Sequence, residues 1–196
     1  MYQLFYLFIK YYNILITFDE KYDTLHLMFE KLTTNPNLTK EQNVKLFCHE
    51  AIKLLKSLCH NDIKKLDICD YKYDTSEAVS ELGLESELIE QLVEDYVIQV
   101  LKTQVSFLEQ LQCCDEAKEK NNFFDLKIFR ELAHKNLGVA RNLRIRDGEK
   151  LLYAMMKSDD LEYLKVCLQA LELVTIRLKP RCAYDTFKLM EVKSAL

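Results

Sequence analysis

Apolar residues recur at helical spacing along most of the chain. Between Asp19 and Leu32 a stripe is formed by Tyr22, Leu25, Phe29 and Leu32. Steps of three and four residues place such side chains on one face of a helix. Thr33-Thr34-Asn35-Pro36-Asn37 reads as a loop, because Asn and Pro favour turns over helix interiors. Thr39 followed by Gln42 has the form of a capping box, in which each side chain satisfies the other residue's backbone N–H. It opens a helix to about Leu58, with Val44, Phe47, Ala51, Leu54, Leu55 and Leu58 on one face. Residues 61–75 are polar and mixed, and the boundary between two regions falls there. Residues 1–73 then form an N-terminal helical region without an assigned role.

The second half is patterned more strongly. Ser76 to Leu84 predicts a short helix ending near Gly83. Glu85 to Leu111 predicts a long amphipathic helix with Leu88, Leu92, Val93, Tyr96, Val100, Leu108 and Leu111 inward, roughly 40 Å from end to end. Residues Cys113 to Asn122 read as a polar connection, and Phe123 to Ile145 as a second long helix. Asp147 is placed to cap a third helix carrying Leu151, Leu152, Met155 and Met156. Asp159 or Asp160 is placed to cap a fourth, with Leu161, Leu164, Leu168, Leu171 and Leu178 in line. Pro180 stops it, since proline lacks the N–H that a helix interior needs. Short links make neighbouring helices antiparallel. The expected fold is all-α: an up-and-down four-helix bundle over residues 74–179, the N-terminal helical region before it and a C-terminal tail at 180–196.

Composition narrows the chemistry. The 196 residues include only 3 glycines and 2 prolines, too few for a sandwich or barrel rich in turns, or for a glycine-rich phosphate loop. A net charge of −4 supplies no basic face for nucleic acid. The 7 cysteines are odd in number and contain no Cys-x-x-Cys pair, which argues against a disulfide framework or a structural zinc site. They read as reduced cysteines of a cytoplasmic protein, several of them small core hydrophobes. Met1 to Phe18 is apolar, but Lys10 and Asn13 interrupt it. It makes a poor signal peptide and a short membrane span, so packing on the body is expected over membrane contact.

Cys48-His49 and Cys59-His60 recur eleven residues apart. Both histidines fall opposite the apolar face of their helix, and ligands about 16 Å apart along the axis cannot share one metal ion. They read as solvated surface residues. His26 has no carboxylate or cysteine constellation around it. Cys113-Cys114 reads as an incidental pair, and Met155-Met156 as core filling.

His134 differs. With His134 at zero degrees on the helical wheel, Phe129, Leu132, Ala133, Val139, Ala140 and Leu143 fall between about 140° and 260°, the expected buried arc. His134 lies opposite, with Lys127, Arg130, Gly138 and Arg141 within about 40° of it. The expected picture is an exposed imidazole beside a glycine notch, with three cations around it. Glycine in a helix interior costs about 1 kcal/mol relative to alanine, and here it leaves space for another protein to approach. Neutral imidazole, with a pKa of about 6.5, is a nucleophile available at neutral pH.

Residues 130–145, Arg-Glu-Leu-Ala-His-Lys-Asn-Leu-Gly-Val-Ala-Arg-Asn-Leu-Arg-Ile, resemble the phosphorylation motif of histidine-containing phosphotransfer (HPt) domains, roughly Ala-His-x-Leu-Lys-Gly-x-Ala-x-x-Leu. Ala133, His134, Gly138, Ala140 and Leu143 match it. The run Glu81-Leu82-Gly83-Leu84, then Glu87 to Tyr96, is similar to the segment before the histidine helix in that family. The resemblance spans about residues 74–179. It implies a phosphorelay intermediate in two-component signal transduction, with His134 as phosphoacceptor and with Gly138, Arg130, Arg141, Lys135 and Leu137 bordering the partner. It implies a response-regulator receiver domain as partner, a hybrid histidine kinase upstream, and no cofactor of the chain's own, since the receiver holds the magnesium. Such a protein is a phosphocarrier, and the receiver catalyses the transfer.

Two positions depart from the motif. The family has Leu two residues after the histidine and Lys three after, where this chain has Asn136 and Leu137. Asn136 falls at about 200° on the wheel, inside the buried arc, so its amide needs a partner there. Leu137 removes a cation, which Arg130 or Arg141 is expected to replace. The alternative reading is a helical adaptor that binds a receiver or another signalling protein without carrying phosphate. A further one is a membrane-associated regulator acting through residues 1–18.

Overall fold

The computed structural model describes residue 35, residues 37–61 and residues 63–194, apart from the side chains of residues 61 and 191–194. The expected stripe at 19–32, the apolar segment 1–18 and His26 lie outside the described residues. Among the described residues all regular structure is helical: α1 (Lys40–Asn61), α2 (Ser76–Leu82), α3 (Ser86–Glu119), α4 (Lys127–Asn142), α5 (Arg146–Lys157), α6 (Leu161–Leu178) and α7 (Pro180–Ser194), with one 3-10 turn at Lys64–Leu66. The protein is a helical bundle. No described helix is long and apolar enough to cross a membrane.

The local signals act as their chemistry dictates. Gln42 Oε1 accepts from the Thr39 N–H at 2.8 Å while Thr39 Oγ1 accepts from the Gln42 N–H at 3.3 Å, the reciprocal box that opens α1. Gly83 closes α2 in the left-handed region at φ 64°. Asp160 caps α6 by accepting from the N–H groups of Glu162 and Tyr163.

Two boundaries differ from the pattern. Helix α3 continues through residues 113–119, because Ala, Lys and Glu favour helix even where apolar residues run out. Cys114 stays buried there, Lys165 of α6 pairs with Asp115 at 3.0 Å, and Asn121 stops the chain at φ 53°. Helix α4 begins at Lys127 rather than Phe123, because Asp125 Oδ1 accepts from the Lys127 N–H at 2.8 Å. That leaves Phe123 outside the helix and 92% exposed. In the first turn of α3 the inward residue is Ile89, while Leu88 faces outward.

Packing places α6 at the centre. Helices α3, α4, α5 and α6 contact one another in sequence, and α6 returns to α3. Helices α1 and α7 also pack on α6 and on each other, and α7 on α3. Every residue of α6 from Cys167 to Ile176 is buried, as expected for a helix covered on all sides. Phe47 of α1 meets Tyr184 and Phe187 of α7 edge to face, at ring-centroid distances of 5.9 and 5.7 Å. Phe47, Ala51 and Leu55 belong to the same hydrophobic cluster as Leu168, Leu171 and Phe129. The described part of the N-terminal region thus shares its core with residues 74–179, and residues 180–194, read as a tail, form a packed helix.

The polar stretch between α1 and α2 is tied down by specific bonds. Arg177 of α6 donates to the carbonyls of Cys69 and Ile68, at 2.6 and 3.0 Å, and to the Asp147 carboxylate at 2.8 Å. Tyr73 and Tyr71 donate to the Leu143 and Arg144 carbonyls, at 2.9 and 2.8 Å. These bonds fix the corner where α4 ends and α5 begins.

Candidate functional site

Helix α4 rests on α3 and α5, and its amphipathic pattern decides what is left outside. Phe129, Ala133, Asn136, Leu137 and Ala140 are buried, whereas Leu132 and Val139 are only half-buried. On the same wheel the buried arc therefore runs from about 180° to 300°, turned by about 40° from the expected one. The turn follows from contact with two helices at once, which draws in the flank facing α5.

His134 remains exposed after that rotation, together with Lys127, Lys135, Gly138 and Arg141. Leu137 does not. It is 2% exposed, so the expectation that it borders a partner is corrected: it is a core residue drawn inward by the shifted arc. His134, Lys127, Arg130, Glu131 and Lys135 line a shallow hollow of about 400 Å³. Glu131 was not anticipated. It lies about 60° from His134 on the wheel, just beyond the group of cations. Gly138 faces open space, with no atom within 4 Å of where a Cβ would stand.

The two arginines are already engaged. Arg130 pairs with Asp159, and Arg141 Nε meets Glu149 Oε1 at 2.8 Å. The Arg141 guanidinium also lies 6.0 Å from the centroid of the Tyr153 ring. Both partners precede or follow α5 in sequence by a few residues or lie within it, so that helix and its end hold the arginines beside the histidine face. Lys127 and Lys135 form no ion pair with a described residue, and they supply the available positive charge next to His134.

Asn136 is the polar residue that the pattern placed inside, and it is buried at 1% exposure. Gln99 of α3 donates to Asn136 Oδ1 at 2.9 Å, and Asn136 Nδ2 donates to the Leu132 carbonyl at 2.9 Å. Both ends of the amide are thus engaged, which removes the penalty of an orphaned buried group. The pair also ties α3 to α4 two residues from His134.

The remaining candidates are placed simply. His49 and His60 are exposed, with His60 Nδ1 2.6 Å from the Lys56 carbonyl oxygen. Met155 is fully buried. Cys113 is exposed and Cys114 buried, both within α3. A larger cleft of about 600 Å³ lies between residues 67–77 and the start of α5. Within it Arg146 pairs with Glu77 at 2.6 Å, and Lys150 donates to the Asp67 backbone carbonyl at 3.0 Å. Among the described residues no group of three or more His, Cys, Asp or Glu side chains is placed to hold a metal ion.

The arrangement around His134 can present a nucleophilic nitrogen on a supported helix, with two lysines to attract an anionic group and open space one turn away for an approaching surface. The hollow is shallow and open. No family model, curated protein or solved structure matches the chain.

Proposed function

We propose that the chain is a phosphorelay intermediate of the HPt type, in which His134 accepts a phosphoryl group from the aspartate of a receiver domain and passes it on. The observation that carries this reading is the outward imidazole on α4, beside Lys127 and Lys135 and one turn from Gly138. The reading takes α3–α6 as its frame, and the short α4–α5 and α5–α6 links support an up-and-down arrangement of these four helices. In the transfer, the unprotonated ring nitrogen attacks phosphorus, the bond from phosphorus to the aspartyl oxygen breaks, and the carboxylate leaves. Lys127 and Lys135 attract the phosphoryl oxygens, while magnesium and the remaining catalytic groups come from the receiver. The chain acts as a carrier and needs no cleft of its own.

The test is incubation of the full chain with a phosphorylated receiver and magnesium. Acid-labile, base-stable label on the wild type and none on His134→Gln is the expected result. Label that survives His134→Gln contradicts the assignment.

A second reading has its own support. The motif's lysine is replaced by a buried leucine, and Arg130 and Arg141 are held in ion pairs. That favours an adaptor that docks on a receiver without taking phosphate. It expects equal receiver affinity for wild type and His134→Gln by calorimetry, with no label on either.

A further inference from the structure

The apolar face of α4 is wider than the part of it that the fold buries. With His134 at zero on the wheel, Ile128, Val139 and Leu132 extend that face down to about 120°, and Leu137 ends it at about 300°. Only the part above about 180° is covered. Leu137 is 2% exposed, Leu132 and Val139 are half-buried, and Ile128 is 54% exposed. Rolling α4 back by about 40° would cover Leu132 and Val139 and bring Leu137 to the edge, the arrangement that spacing alone predicts. Apolar burial has no direction and does not choose between the two rolls. A hydrogen bond has direction, and one stands on this face. Gln99 Nε2 of α3 donates to Asn136 Oδ1 at 2.9 Å. Asn136 Nδ2 donates to the Leu132 carbonyl of its own helix at 2.9 Å, so the amide turns its oxygen towards α3 and needs a donor there.

We propose that Gln99 is a positioning residue for His134: its hydrogen bond to Asn136 selects the roll of α4, and with it the direction in which the imidazole is presented. The consequence for transfer rests on the phosphorelay reading, whereas the hold on the helix does not. Side chains reach about 5–6 Å from a helix axis, so a roll of about 40° carries the Asn136 amide about 4 Å sideways. That displacement breaks a bond of 2.9 Å. The same roll carries the His134 ring a similar distance relative to Asp159 and Glu149, the partners that hold Arg130 and Arg141. A phosphoryl transfer set up in line loses its alignment over such a distance.

Asn136 is on the far side of α4 from the imidazole, about 200° round the wheel and two residues along, so Gln99 acts from behind the helix and touches no partner. Contact with α5 draws the Leu137 flank inward, and the bond to Gln99 fixes where that roll stops. Asn136 itself is 1% exposed, so no water from outside replaces the Gln99 donor while α4 keeps its place.

The test is hydroxyl-radical footprinting of the full chain, with oxidation of Leu132 and Leu137 read by mass spectrometry. Gln99→Met removes the donor and keeps the length of the side chain. Gln99→Leu combined with Asn136→Leu removes both partners and leaves no amide unpaired in the core, which keeps a folded protein to measure if the single change is too costly. Cooperative thermal unfolding identifies the folded variants. The wild type should label Leu132 well above Leu137. In the folded variants the ratio of Leu137 to Leu132 labelling should rise several-fold. Loading from a phosphorylated receiver should slow by about tenfold or more, with receiver affinity unchanged. An unchanged labelling ratio overturns the proposal, as does a shifted ratio with loading at the wild-type rate. A wild type that takes no phosphoryl group from any receiver, with the ratio still shifted in the variants, overturns the phosphorelay reading and supports the hold of Gln99 on α4.

Discussion

Helices α4 and α6 each carry an apolar stripe in the sequence, yet the fold uses them oppositely. Helix α4 is covered by α3 and α5 and keeps a polar face outside, where His134 stands. Helix α6 is covered by α1, α3, α5 and α7 and has almost no outside. The contrast teaches where each residue's importance lies. On α6 a side chain matters through packing, and on the outer face of α4 it matters, under the proposed function, through what it presents to a partner.

The largest expected effect follows directly. Leu168 is fully buried on α6, and Leu168→Ala should lower unfolding free energy by about 2–5 kcal/mol through lost transfer and the cavity left behind. His134→Gln, on an exposed position, should stay within about 0.5 kcal/mol of wild type. Urea denaturation of both variants measures the difference, and equal losses would break the contrast.

A buried acid sharpens it. Glu172 of α6 is 2% exposed, and burial pushes its carboxyl up from 4.5 to about 8. The folded protein therefore holds a proton that the unfolded chain releases above its ordinary value. The stability contributed by that proton is fully present below about 4.5 and is lost as pH rises towards about 8. Glu172→Gln should remove this slope and leave the variant up to about 3 kcal/mol more stable near pH 7. Thermal unfolding of both proteins between pH 5 and pH 8 is the check, and parallel curves would contradict the buried, unpartnered carboxyl.

A smaller effect tests the other helix. Gly138 is in α4 with open space around the position of a Cβ, so alanine fits without strain. Gly138→Ala should raise stability by about 0.5–1 kcal/mol. If the space is for a docking receiver, the same variant should slow phosphotransfer. A more stable variant with unchanged transfer would leave the glycine without its assigned role.

Much of this contrast was legible in the sequence. The capping box at Thr39, the stop at Gly83 and the Asp160 cap are short-range chemistry, and each acts where its residues stand. The outward direction of His134 also followed from helical spacing, because a histidine opposite the centre of an apolar stripe stays outside even when the stripe turns by about 40°. Leu137 did not follow. It lies on the flank of the stripe, and its burial was decided by the neighbour that packs there.

Helix α6 gives the clearest lesson. Its leucine stripe was read, but Val166, Ala170, Leu173 and Val174 fall between about 140° and 240° from Leu168 and make the opposite side apolar too. That all-round character was the signal that further helices cover it. The covering comes from α1, across the polar stretch, and from α7, beyond Pro180, and a stretch-by-stretch reading separates both from the core they share. The fold-back of the polar stretch onto Arg177 was hidden for the same reason, because no periodicity encodes it.

The most direct test of the central claim is to locate the phosphoryl group itself. After transfer from a phosphorylated receiver, peptide mapping under alkaline conditions should find the phosphoramidate on the peptide containing His134 and on no other histidine peptide. Phosphate on a different residue, or receivers that dephosphorylate without loading this chain, would contradict it.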